Sequence, residues 1–68
     1  MFNEDGERIG FRYTVIYDGY LFEGDSTGTN RRDTDHWEDV QFMINAYGEW
    51  ITVKDNEYGL TWENGEWF

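Results

Sequence analysis

The 68-residue sequence contains no cysteine, no proline, one histidine and only five basic side chains. Without cysteine there is neither a disulfide framework nor a thiolate metal site, which points away from the small secreted domains that depend on such staples. A cytoplasmic setting is the expectation. The absence of proline by itself excludes no fold. Long apolar runs are missing too: none approaches the roughly 20 residues of a membrane-spanning helix. The first ten residues hold Glu4, Asp5, Glu7 and Arg8 instead of the basic and apolar regions of a signal peptide. So little Lys and Arg also argues against direct nucleic-acid binding, which needs basic patches or basic residues interleaved with aromatics.

Acid is abundant. Fifteen Asp and Glu residues give a formal net charge of −10, a density that strains a compact fold by self-repulsion and repels nucleic acid and anionic membranes. Partners should therefore be cationic. Aromatic residues make up 21% of the chain, whereas a disordered acidic tail would be poor in them. Each can bury roughly 150 to 250 Å², so the charge belongs to a folded object. Residues 1 to 68 have room for a single domain with one modest core, since a chain of this size buries only about 60% of its unfolded surface.

Residues 11 to 24 read as a hairpin. Phe11, Tyr13, Val15 and Tyr17 alternate with Arg12, Thr14, Ile16 and Asp18, the period of a half-buried strand. Asp18-Gly19 then tolerates positive φ at both centres of a type I′ turn. That turn sets Tyr17 against Tyr20 and Val15 against Phe22, and with Phe11 and Tyr13 these residues form half of the expected core. The polar, aperiodic stretch from Asp25 to Asp33 reads as a loop.

A helix follows. Asp35 and Glu38 are spaced as a capping box, with Thr34 or Asp33 as alternative caps. Trp37, Val40, Ile44 and Tyr47 recur on one face with Met43 at its margin, and Gly48 is the stop. From Glu49 onward the period returns to two. Ile51, Val53, Tyr58, Leu60 and Trp62 share a face if Asp55-Asn56 turns a hairpin, and Asn64-Gly65 brings Trp67 beside Trp62. Asp5-Gly6 marks a further short hairpin within residues 2 to 9. The expected fold is α+β: a small antiparallel sheet of about four or five strands in ββαβββ order, with one helix packed on one face.

Asp33, Asp35, Glu38 and Asp39 cluster at the start of the helix, while Glu49, Asp55, Glu57, Glu63 and Glu66 decorate the C-terminal strands and turns. Residues two apart on a strand are about 6.7 Å apart, and residues three or four apart on a helix about 5 to 6 Å. Such rows of carboxylates can occupy a groove lined with Lys and Arg, replacing the phosphates that dominate nucleic-acid affinity. The plainer reading makes them a solvated face, favoured at the helix start by the macrodipole. Against it, Asp35 and Asp39 form a repulsive i, i+4 pair if both are helical.

Two aromatics stand off the expected core. Phe42 lies about 140° from Trp37 on the helical wheel, and Trp50 points away from the Ile51 and Val53 face. Each is either an interface anchor or an exposed ring without consequence. The terminal Trp67 and Phe68, with an open strand edge, raise the option of a homodimer. Arg31 and Arg32 are expected to pair with the chain's own carboxylates.

Catalysis and metal binding find little here. Asp33, Asp35 and Asp39 resemble the start of a calcium loop but lack its turn glycine and terminal glutamate, and His36 is a lone histidine. No nucleophile has a partner at a known spacing, so neither enzyme activity nor a cofactor is expected.

Small size, extreme acidity, an aromatic core and absent cysteines together resemble, in kind, the small phage-encoded anti-restriction and anti-CRISPR proteins that imitate DNA. The resemblance implies an inhibitor that binds a basic, nucleic-acid-binding host protein, and the carboxylate pattern of this chain makes Asp33, Asp35, Glu38, Asp39, Glu63 and Glu66 the expected contacts. The alternative is a general interaction module, antitoxin-like or adaptor-like, docking through Phe42, Trp50 or a sheet edge.

Overall fold

Tyr13, Val15 and Tyr17 do point to one side of a strand, and that side is the core. The computed structural model describes residues 2–68. Its elements are β1 (Tyr13–Asp18), β2 (Thr29–Thr34), α1 (Trp37–Tyr47), β3 (Ile51–Asp55), β4 (Leu60–Glu63) and β5 (Glu66–Trp67). The five strands form one antiparallel sheet in the order β2-β1-β3-β4-β5. The α+β class and the ββαβββ sequence of elements are as expected.

One register row explains how the helix is held. Val15 lies opposite Val53, Val53 opposite Trp62 and Trp62 opposite Trp67, so a continuous apolar stripe crosses the sheet. Helix α1 lays Val40 and Met43 on that face, and together with Tyr13, Tyr17 and Ile51 these residues make the buried cluster. Val15, Val40 and Val53 are fully buried, each contributing about 2 kcal/mol of apolar burial. Trp37 bridges the helix start to both sides of the sheet, with ring centroids 5.8 Å from Tyr13 and 6.2 Å from Trp67.

The second strand is not where the hydrophobic pattern places it. Residues 20 to 24 do not return along β1; the partner is Thr29–Thr34, within the stretch read as a loop, with Val15 opposite Arg32 and Tyr17 opposite Asn30. A type I′ turn at Asp18-Gly19 needs positive φ at both residues. Only Gly19 has it, at φ 81°, and the chain runs on until the Gly19 amide bonds the Gly28 carbonyl at 3.0 Å. Tyr20 is consequently exposed, while Leu21 and Phe22 still pack against the core from the loop. Phe11, Tyr58 and Leu60 are also exposed rather than core residues. The Tyr58 and Leu60 discrepancy follows from a loop of four residues, 56 to 59, where a tighter turn was expected.

At Asn64-Gly65 the expected turn forms, with φ 51° and 86°, and pairs Trp62 with Trp67. The short N-terminal hairpin exists as an antiparallel bridge between Phe2 and Arg8, its turn tied by the Asn3 side chain, which accepts from the Asp5 and Glu7 amides.

The helix start departs from a capping box. His36 is the N-cap and its side chain makes no cap hydrogen bond. Thr34 takes over locally: its Oγ1 accepts from the His36 amide at 3.1 Å and donates to Asp39 at 2.8 Å. At the other end Gly48 has right-handed φ −51°, so glycine is required there for space. A Cβ would sit 2.7 Å from the Ile44 carbonyl oxygen and 3.4 Å from the Trp62 ring.

Candidate interaction surface

Because the chain has so few cations, where each one goes decides where negative charge remains. Arg32 projects from β2 on the helix side, its guanidinium 4.4 Å from the centre of the Phe22 ring, and donates to the Tyr17 hydroxyl at 2.9 Å. Tyr17 in turn donates to Asp25 at 2.8 Å. Asp25 also accepts from the Phe22 and Leu21 amides at 2.8 and 3.2 Å and pairs with Arg32 at 3.4 Å. Burial works against the ionised form of Asp25; the Tyr17 hydroxyl, the two amides and Arg32 outweigh it, and its carboxyl is held below the usual range. Burial first, then the bond to Asp25, pushes the Tyr17 phenol up.

Asp35 faces inward toward the N-terminal segment. It accepts from the Arg12 amide at 3.0 Å and from the Arg8 side chain. The Arg12 amide chiefly holds its carboxyl below the usual range; burial opposes the shift and Arg8 adds to it. Asp55 pairs with the Arg12 guanidinium at 3.5 Å and fixes the following turn by accepting from the Glu57 and Tyr58 amides. Glu57 reaches Arg12 at 3.2 Å. Asp33 accepts from the Thr14 hydroxyl at 2.8 Å and pairs with Arg31 at 3.1 Å. Arg31 and Arg32 thus both pair within the chain, as expected. All four arginines are committed, and the remaining cation, Lys54, makes no ion pair among the described residues.

The helix-start set therefore separates. Asp33 lies on β2 and Asp35 before the helix, both tied to arginine, and the i, i+4 repulsion expected between Asp35 and Asp39 does not arise because Asp35 is not helical. Glu38 and Asp39 remain exposed in the first turn of α1. Phe42 is exposed on the helix.

The C-terminal set meets in part. The chain leaves α1 through Gly48 and Glu49, and the Trp50 amide bonds the Tyr47 carbonyl at 2.8 Å. This tight exit leaves Trp50 62% exposed immediately before β3. Across from it, Glu63 and Glu66 lie directly opposite one another in the β4–β5 hairpin. Between the helix end and the hairpin turn runs a groove of about 620 Å³, lined by Ile44, Ala46, Glu49, Trp50, Trp62 and Gly65 among others. Sequence reading placed Glu49 among the C-terminal carboxylates but not among the expected contacts; its place one residue past the helix-stopping Gly48 was the available signal.

A second groove, of about 560 Å³, lies between Phe2, Ile9, Arg12, Asp35, Asn56 and Glu57. Its charged walls are already paired within the chain, Arg12 with Glu57 and Asp35 with Arg8. Among the described residues no group of three or more His, Asp or Glu is arranged to hold a metal ion, and no helix is long and apolar enough to cross a membrane. No protein-family model, no curated protein and no solved structure matches this chain.

Proposed function

We propose that the protein is a non-catalytic acidic binder that occupies the basic, nucleic-acid-binding surface of another protein in the cytoplasm and blocks it by presenting carboxylates in place of phosphates. The observation that carries this reading is the division of charge. Every arginine is bound to the chain's own Asp or Glu, while Glu38, Glu49, Glu63 and Glu66 have no cationic partner among the described residues. Glu63 facing Glu66 is a repulsive cross-strand pair. Glu49 stands at the negative end of a helix with no basic residue in its last turn. Both arrangements work against stability, and a cationic partner relieves both. A phage-encoded inhibitor of restriction or CRISPR machinery is the kind of protein this describes.

Exposure of Phe42 and Trp50 favours a second reading, a conventional interaction module anchored by aromatics. Capture of partners on the immobilised protein, followed by elution with stepped salt, separates the two. Mimicry requires a nucleic-acid-binding protein that leaves in moderate salt and is excluded by added DNA or RNA. A single partner retained in high salt and indifferent to nucleic acid overturns it in favour of the module.

A further inference from the structure

Among the unpaired carboxylates, one group stands beside a cavity with aromatic walls, and that conjunction identifies a ligand chemistry. We infer that the groove between the C-terminal end of α1 and the β4–β5 hairpin seats an arginine side chain from a basic segment of the partner protein. The inference rests on the acidic-binder reading and adds to it the place and manner of recognition.

Four features of the groove converge on a guanidinium. Its volume, about 620 Å³, falls within the roughly 300 to 1,000 Å³ of ordinary ligand sites. Trp50 and Trp62 both line it. Tryptophan is the best ring for a cation, and arginine, planar and weakly hydrated, is the cation that stacks best. The end of α1 forms one wall, and its carbonyl-rich terminus carries partial negative charge with no basic side chain to offset it. Glu49 belongs to that wall, and the Asn64-Gly65 turn forms the other. Among the described residues no basic side chain lines the groove to compete for the site.

The way Trp50 is mounted also fits. Its backbone is fixed by the bond from its amide to Tyr47, yet its ring remains exposed, so it meets a ligand without rearrangement of the backbone. Trp62 is buried to 7% exposure against the Gly48 backbone and supplies a rigid inner wall. Asp33, Asp35 and Asp55 are engaged differently, because their carboxylates already hold arginines of this chain.

The test uses acetylated hexa-arginine amide as the probe, titrated at low salt into the ¹⁵N-labelled protein and followed by backbone amide and indole N–H resonances. Trp50→Leu keeps apolar area but removes the ring, and Glu49→Gln removes the charge; both positions are exposed, and neither supports the core. The expected result is shifts concentrated in residues 46–51 and 62–66 and at the Trp50 indole. Affinity should fall about fivefold or more in Trp50→Leu and in Glu49→Gln, with Glu4→Gln and Glu23→Gln within about twofold of wild type. Shifts spread over all acidic surfaces, with equal losses in all four variants, overturn the groove but leave the acidic-binder reading standing. Failure of the peptide to bind at all overturns both.

Discussion

The two ends of the sheet treat carboxylates in opposite ways. On the β2–β1 side, Asp25 and Asp33 are enclosed by hydroxyl, amide and guanidinium donors. At the helix exit and the β4–β5 hairpin, Glu49, Glu63 and Glu66 have no such donors among the described residues. The division follows residue type. Among the described residues every Asp except Asp5 has a carboxylate that accepts a hydrogen bond, whereas Glu57 is the one Glu that meets a cation. A short side chain keeps its carboxylate near the backbone, where amides and neighbouring hydroxyls reach it. The extra methylene of Glu carries the charge outward. Net charge alone therefore misstates the surface: aspartate here builds the fold, and glutamate faces outward.

Removing a building carboxylate has the largest expected effect. Asp25→Ala leaves the Tyr17 hydroxyl and the Phe22 and Leu21 amides without their acceptor, and the thermal unfolding midpoint should drop by roughly 10 °C or more. An equal loss on Glu63→Ala would break the comparison.

The acid limb of stability comes next. Asp25 and Asp35 both have folded-state values below their unfolded ones, which lie near about 3.9. Their contribution is fully present above that value and is lost as pH falls through the lower folded-state values. Chemical denaturation at about pH 6 and about pH 3 should show a marked loss in the wild type and a smaller difference in Asp35→Asn.

At the other end, charge reversal should stabilise. Glu49→Lys meets the negative helix terminus and Glu66→Lys faces Glu63, each adding about 0.5 kcal/mol in urea denaturation, while binding to a basic partner weakens. Destabilisation by either change would mean that these glutamates have a structural role after all. Smallest is the response to salt. Raising ionic strength from about 0.01 M to about 0.15 M shortens screening from about 30 Å to about 8 Å, so the wild-type midpoint should rise slightly, and less in the Glu49→Lys, Glu66→Lys double variant.

Much of the fold was legible because hydrophobic period and turn chemistry agreed. The alternation through Tyr13 to Tyr17, the Val40, Ile44 and Tyr47 stripe of α1, and Asn64-Gly65 with its paired tryptophans stand where residue spacing places them, whereas Trp37 is exposed and Met43, expected at the margin, is buried. β2 was illegible for a physical reason. As an edge strand of sequence TNRRDT, it offers the helix side Asn30, Arg32 and Thr34 instead of apolar groups. Arg32 substitutes for a core residue by lying over Phe22 and bonding Tyr17. Tyr20, Leu21 and Phe22 supplied a false return strand, because Asp25 folds them into a turn. Of the candidate site residues, Trp50 lines the groove and Glu63 faces Glu66 in the hairpin beside it, while Asp33 and Asp35 were pooled with free acids because sequence does not reveal which cation will reach them.

The Val15–Val53 contact has a kinetic meaning. The β1–β2 pairing and the β3–β4–β5 meander each close within a short span of chain, whereas β1 meets β3 across residues as distant as Tyr13 and Asp55. Loop-closure entropy makes that span the expected slow step, testable by whether Val53→Ala slows refolding more than Trp67→Ala does. The protein is thus two locally coded pieces joined along a single seam, and the rate at which it becomes a continuous sheet is the rate at which that seam finds its register.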